Sequence, residues 1–273
     1  MPQITIAFLG DIVGAPGRRV VTQQLPTLRQ QFQPDLVIAN AENARSGSGL
    51  TPDLYANLRA LGIDAITLGD HCYRDRRIIE TLSKPDEPIL RPANLAAGAI
   101  GRRWIRLAPT EKRPAVYMIT VLGRVFMPLP ADDPFATVEG LLAALPERDP
   151  IVLVEAHMET TSEKIALARH FDGRLAAVLG THTHVPTADA RILAGGTAFI
   201  TDVGMCGPYD SVIGRDATEV LKAMTTGMHT AFPVAEGGEA MCGCIVRIDV
   251  GSRRAMSIER FAFEADRARP PFG

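Results

Sequence analysis

The 273-residue chain is short of several things, and each shortage narrows what it can be. It has four cysteines, Cys72, Cys206, Cys242 and Cys244, and no C-x-x-C spacing among them. No thiolate metal motif follows from that set, and a reducing compartment would keep all four as thiols. Cys242 and Cys244 alternate along a predicted strand, where cysteine serves as a small buried hydrophobe. Positive charge is not in excess either: 29 Lys and Arg against 31 Asp and Glu give a formal net charge of −2. Stable binding to a nucleic acid or to an anionic membrane is therefore not expected. The N-terminal stretch MPQITIAFLGD has no basic region, and its apolar run is too short for a signal peptide or a membrane span. A cytoplasmic protein without a membrane partner is the expectation. There is no linker, repeat or low-complexity segment, so residues 1–273 are read as a single domain.

What is present is ordinary for a packed protein, with 46% hydrophobic and 22% charged residues. Short runs rich in Ile, Val and Leu recur: ITIAFLG, DLVIAN, AITLG, PILRPAN, AVYMITVLG, IVLVEAH, LAAVLGTH and TAFITDVG. They are continuous rather than alternating, which predicts strands buried on both faces. Between several of them lie helical patterns, GRRVVTQQLPTLRQQF, TPDLYANLRALG, FATVEGLLAALP and TSEKIALARHFDG. Pro26 should start or kink the first helix, and Thr51 and Thr161 or Ser162 are candidate N-caps. This alternation predicts an α/β architecture. CGCIVRIDV and AMSIERFAFE, separated by a GSRR turn, predict an antiparallel hairpin near the end.

The chain has only six histidines, and GTHTHVPTAD places two of them, His182 and His184, two residues apart after a predicted strand. The same placement recurs. Nearly every predicted strand runs into a residue that can bind metal: Asp11, then Glu42 and Asn43, then Asp70 and His71, then His157, then His182 and His184. Ligands of open α/β sheets bind beyond the carboxyl ends of the strands, so these side chains are expected to converge. Several carboxylates at one edge repel unless a cation lies between them. Seven candidate ligands exceed the four of a tetrahedral zinc and fit two divalent ions. Imidazole and carboxylate without thiolate suit manganese, iron or zinc. Such an ion pair is an arrangement that hydrolyses phosphate esters.

The order FLGD, NAEN, LGDH, EAH and GTHTHVPTAD, with GDIVGAPGRR, VLGRVFM, TSEK and ADARIL, resembles the calcineurin-type metallophosphoesterases. Among them it is similar to the YmdB-like branch of bacterial cyclic-nucleotide phosphodiesterases. The resemblance implies a four-layer αββα sandwich, with two central mixed sheets flanked by helices. It implies one metal on Asp11, Asn43 and His184, another on Asp70, His157 and His182, and Glu42 bridging them. Iron or manganese leads, with zinc or magnesium as alternatives. Two positions depart from the family pattern. Val13 stands where many relatives have a histidine, and Asn43 fills that gap; Asp70 stands where the family usually has asparagine. An aspartate is an acceptor-only anion and should hold a hard cation more tightly than an amide.

The expected reaction is hydrolysis of a small phosphodiester, a 2',3'-cyclic nucleotide, by attack of a metal-bridging hydroxide, with His71 as general acid. Arg45, beside the glycine-rich SGSGL, and Arg124 are candidate phosphate contacts. Three alternatives keep the same ligand set: a nucleotidase or other phosphomonoesterase, a phosphoprotein phosphatase, and a regulatory nucleotide-binding protein with weak turnover. The oligomeric state stays open, a homo-oligomer included.

Overall fold

The computed structural model describes residues 2–111, 113–147 and 149–265. In chain order the elements begin β1 (Gln3–Leu9), β2 (Asp11–Ile12), α1 (Gly14–Phe32), β3 (Leu36–Asn40), α2 (Pro52–Ala60), β4 (Ala65–Thr67) and α3 (Ile78–Leu82). Next come β5 (Ile89–Leu90), β6 (Trp104–Leu107), β7 (Val116–Leu122), α4 (Pro134–Ala144), β8 (Ile151–His157), α5 (Thr161–His170) and β9 (Ala177–Thr181). The chain closes with β10 (Arg191–Ile192), β11 (Ala198–Ile200), β12 (Met205–Pro208), α6 (Ala217–Thr226), β13 (Glu239–Asp249) and β14 (Ala255–Glu264).

Two mixed sheets form the centre. The first runs β2-β12-β13-β1-β3-β4-β5, with β14 also paired to β13, and the second runs β10-β11-β9-β8-β7-β6. Successive side chains of a strand point to opposite faces, and the burial follows that rule. Ile4, Ile6 and Phe8 of β1 meet Met118, Leu153 and Leu179 of the second sheet in the layer between the sheets. Ala7 and Leu9 of the same strand face Val20, Val21, Leu25 and Leu28 of α1. On the far side, Tyr117, Ile119, Val152 and Val154 pack under Val138 and Leu141 of α4 and Leu167 and Ala168 of α5. Both sheets are thus covered on both faces, which is why their strands read as unbroken apolar runs. The architecture is the expected four-layer sandwich.

Local signals fare unevenly. Thr51 caps α2 as expected, its Oγ1 accepting from the Leu54 N–H at 3.2 Å with Pro52 in the first turn. The N-cap position of α5 falls one residue earlier than expected, at Thr160, whose hydroxyl donates to the Glu163 carboxylate and caps no backbone N–H. Helix α1 begins at Gly14, so Pro26 lies inside it and does not start it. The terminal hairpin forms with Cys244 opposite Arg260, and all four cysteines are buried free thiols. Strands β2, β6, β10 and β12 and helices α3 and α6 were not foreseen: most are too short to show a period. Among the described residues, no helix is long and apolar enough to cross a membrane.

Candidate metal centre

Parallel strands β1, β3 and β4 of the first sheet and β8 and β9 of the second end close together. The candidate ligands come from the segments just past those ends. Asp11 follows β1 across Gly10; Glu42 and Asn43 follow β3; Asp70 and His71 follow β4; His157 closes β8; His182 and His184 follow β9. The close packing has a steric condition at Gly69, where a Cβ would collide with the His157 ring.

His157 lies at the middle and is wholly buried. Its Nε2 is 3.1 Å from Asp70 Oδ1, 3.2 Å from Glu42 Oε1 and 3.2 Å from His182 Nδ1. Behind it, Nδ1 lies 2.9 Å from Thr181 Oγ1, and that hydroxyl donates to Glu155 Oε1 at 2.8 Å. Glu155 is itself buried and also accepts from Asn40 Nδ2 and Thr120 Oγ1 at 2.7 Å each. Because the Thr181 hydroxyl gives its proton to Glu155, it can only accept from His157 Nδ1. Nε2 then faces the carboxylates, the tautomer fixing seen behind histidine metal ligands.

The second strand end is irregular. His182 and His184 both have left-handed backbones, with φ of 93° and 65°. Non-glycine residues adopt that region at a cost, so the surroundings must enforce it. Lys164, fully buried on α5, donates to the Thr181 carbonyl at 2.7 Å and to Asp202 Oδ2 at 2.9 Å. The same Asp202 oxygen accepts from the Thr183 N–H at 3.1 Å and the Thr183 hydroxyl at 2.8 Å. The His182 N–H donates to Asp11 Oδ2 at 3.1 Å, and its Nε2 lies 3.1 Å from Glu159 Oε2. His184 donates from Nδ1 to the Ile213 carbonyl at 2.9 Å, which leaves Nε2 toward Asn43 at 3.3 Å and Asp11 at 4.0 Å.

His71 is tied by its backbone N–H to Glu42 Oε2 at 2.8 Å, and its Nδ1 lies 2.7 Å from Asn43 Oδ1. Its side chain is 24% exposed, against 20% for His182, 11% for His184 and none for His157, so His71 is open to a ligand. It lines a cavity of about 400 Å³ with Glu42, Asn43, His182, His184 and Arg215.

Electrostatics mark the cluster as short of positive charge. Burial pushes the Asp11 carboxyl up to about 8, with Glu42, Glu155 and Asp202 adding to the rise against the pull of His157. Burial also works against the Glu42 and Asp70 charges, yet contact with His157 holds both below the usual carboxylate range. Burial would lower His157, but Glu42 and Asp70 raise it well above its ordinary value. A proton on His157 thus occupies the place a cation would fill. The donor set fits a metal. Ligand atoms of Asp70, His157 and His182 lie within 4.8 Å of one another, as do those of Asp11, Glu42 and His157. Asp11 Oδ1 is buried with no hydrogen-bond partner among the described residues, a costly orphan that a cation would satisfy.

All eight residues expected at the site, the seven candidate ligands and His71, come together; the two expected arginines do not. Arg45 donates to Asp75 at 2.8 Å, and Asp75 is also clamped by Arg77. Arg124 is exposed and touches Glu163 through its backbone N–H. The arginine that lines the cavity is Arg215, held by the carbonyls of Ser46, Gly47 and Phe232. Sequence reading also passed over Glu155, Glu159, Lys164 and Asp202. For two of these a signal existed: Glu155 is a carboxylate inside an apolar strand, and Asp202 follows TAFIT as Asp11 follows its own strand.

A sequence profile of the YmdB-like proteins matches residues 7–261. The chain belongs to the YmdB-like family. It is 43% identical over 262 residues to a 2',3'-cyclic-nucleotide 2'-phosphodiesterase of Bacillus subtilis (strain 168), covering 96% of this chain and 97% of that one. Its fold is similar to the crystal structure of a phosphatase from Mycoplasma pneumoniae, with TM-score 0.90, 33% identity and coverage of 98% and 96%. A hypothetical protein from Thermus thermophilus matches with TM-score 0.86 and 40% identity over 96% of this chain and 99% of that one. This YmdB-like chain therefore shares nearly its whole length with proteins named as phosphodiesterase or phosphatase, and the site residues from Asp11 to Arg215 all lie within the matched residues 7–261.

Proposed function

We propose that this chain is a divalent-metal phosphodiesterase that opens 2',3'-cyclic nucleotides. The observation that carries the reading is the convergence of Asp11, Glu42, Asp70, His157, His182 and His184 beside an accessible His71. Asp11, Asn43 and His184 would hold one ion, and Asp70, His157 and His182 the other, with Glu42 shared between them. When bound, two such ions supply a nucleophile at neutral pH and offset the charge gathering on the phosphoryl oxygens. Hard oxygen and imidazole donors suit iron or manganese, and the free thiols suit the cytoplasm.

The remaining work falls to side chains. His71, steadied through Nδ1 by Asn43, has its Nε2 3.7 Å from Asp70 Oδ2. From there it delivers a proton to the ribose oxygen as the P–O bond breaks, leaving a free hydroxyl and a phosphate monoester. Thr181 and Glu155 keep His157 in the ligating tautomer, while Lys164 and Asp202 hold the His182–His184 turn. Arg45 and Arg124 drop out as phosphate contacts, and Arg215 takes their place at the cavity wall.

Manganese-loaded protein should convert 2',3'-cyclic AMP to a monophosphate, followed by chromatography, faster than it releases phosphate from 5'-AMP or a phosphopeptide. The reverse order would give the site to a monoesterase. Replacing His71 with alanine should lower turnover of the cyclic nucleotide about 10²–10⁴-fold. It should cost much less on bis(p-nitrophenyl) phosphate, whose leaving group needs no proton. Equal losses on both substrates would remove His71 from the proton-donor role.

A further inference from the structure

Residues Val212 to Arg215 make a tight turn in which the Val212 N–H donates to the Arg215 carbonyl at 2.9 Å and the Arg215 N–H returns to Val212 at 3.0 Å. Both central residues are left-handed, Ile213 with φ of 47° and Gly214 with φ of 93°. A turn with two such residues favours Asn-Gly, and a β-branched side chain at the first is an outlier. Strain of this kind persists where the surroundings hold it, often at ligand clamps. Here Ile213 is also 52% exposed, and so is Val185, which lines the same two cavities. An apolar residue is therefore held in an unfavourable conformation and out toward solvent.

What it faces is an alcove of about 340 Å³ walled by Val185, Pro186, Met205, Tyr209, Val212 and Ile213. His184, Val185 and Ile213 line this alcove and the metal cavity alike. A ligand filling both would put its anionic end among the candidate metal ligands and a flat apolar end against Ile213. The polar side chains of the alcove are already engaged. The Tyr209 hydroxyl accepts from the Met205 N–H and donates to the Met205 carbonyl, both at 3.0 Å. The Ser211 hydroxyl donates to the Pro208 carbonyl at 2.6 Å and accepts from the Gly214 N–H at 2.9 Å.

We propose that this alcove is the nucleobase subsite, with Ile213 as the side chain that distinguishes a base-bearing cyclic phosphate from one without a base. The proposal rests on the cyclic-nucleotide reading above and adds where the rest of the substrate lies. With its hydroxyls engaged, the alcove recognises a base by apolar contact and reads its edges little, so the four bases should be accepted within a narrow range.

The test compares 2',3'-cyclic AMP with ribose 2',3'-cyclic phosphate on manganese-loaded wild type, Ile213→Ser and Ile213→Gly. Glycine relieves the left-handed backbone, so that variant guards against loss by misfolding. In wild type the KM for the base-free substrate should exceed that for 2',3'-cyclic AMP by about 10-fold or more, the scale of one lost apolar contact. Both variants should bring the ratio close to one, and inhibition by adenosine, which carries no phosphate, should weaken in step. The ratio cancels any change common to both substrates, and the manganese content of each variant gives a check independent of turnover. Turnover of both substrates with equal KM in wild type, or an unchanged ratio in the variants, would overturn the subsite and leave the substrate reading standing. No turnover of either substrate by the manganese-loaded wild type would overturn both.

Discussion

His157 and His184 reach the same cluster by different means. His157 ends a regular strand, sealed from solvent, and its ring is set from behind by Thr181 and Glu155. His184 sits past the end of β9 in a left-handed backbone and is set by groups far away in sequence: Lys164 and Asp202 through Thr181 and Thr183, and the Ile213 carbonyl. The first half of the centre is therefore a by-product of sheet formation. The second half is a loop that would relax without its braces, and it should be the half in which metal affinity is most easily lost.

The largest expected effect comes from cutting the brace. In Lys164→Met, Asp202 is left as an uncompensated buried charge, which costs about 3–5 kcal/mol of stability by chemical denaturation. Mn binding at the ion held by His184 should weaken about 10–100-fold, as for other supports behind a metal ligand, with a smaller loss at the second ion, which shares the turn through His182 but keeps His157 and Asp70. Equal weakening of both ions would erase the distinction between the halves. Adding Asp202→Asn should restore part of the stability by removing the buried charge, and none of the affinity, because the Thr181 carbonyl still lacks its Lys164 donor.

A smaller effect sharpens the other side. Thr181→Val keeps the shape, removes the acceptor for His157 Nδ1, and takes one donor from Glu155. A loss of about 1–3 kcal/mol is expected for the polar groups left unpaired, with affinity lowered about 10-fold at the His157 ion. Titration calorimetry of the two sites separates this outcome from a loss confined to the His184 ion, which would contradict the assignment.

The mildest effect is a proton count. In the metal-free protein Asp11 is raised to about 8 by burial, and His157 is raised by its carboxylate neighbours. Both hold protons at pH 7 that a metal must displace. Calorimetry in two buffers of different ionisation enthalpy should show net proton release on Mn uptake. The linkage has a definite sign. A folded pKa above the unfolded value gives stability that is full below the unfolded pKa of about 4 and is lost as pH rises through about 8. Metal-free protein should therefore melt lower at pH 9 than at pH 6, and loaded protein should lose that dependence. Uptake without proton release would show both groups already deprotonated.

The regular half was the legible half. Glu42, Asp70 and His157 stand at or just past the ends of continuous apolar runs, so the rule that sites form beyond strand ends was enough to gather them. His182 and His184 were found by the same rule, but the left-handed backbone they adopt was not. That conformation depends on Lys164 and Asp202, 38 positions apart and joined only by the fold. Arg45 pairs with Asp75 and does not line the cavity, because proximity in sequence to Glu42 says nothing about which way a long side chain turns. Arg215 had no sequence signal, since it reaches the cavity from a turn 173 positions beyond Glu42. The layers were legible because doubly covered strands are apolar throughout. Two-residue strands such as β2 and β10 were not, because no period fits in two residues.

The central claim is that two divalent ions share this cluster. Elemental analysis of protein purified without chelators and reconstituted with manganese, joined to anomalous scattering from its crystals, tests that claim most directly. The account predicts two ions at saturation, one beside Asp11 and His184 and the other beside Asp70, His157 and His182. One ion, or none, at saturation would contradict it.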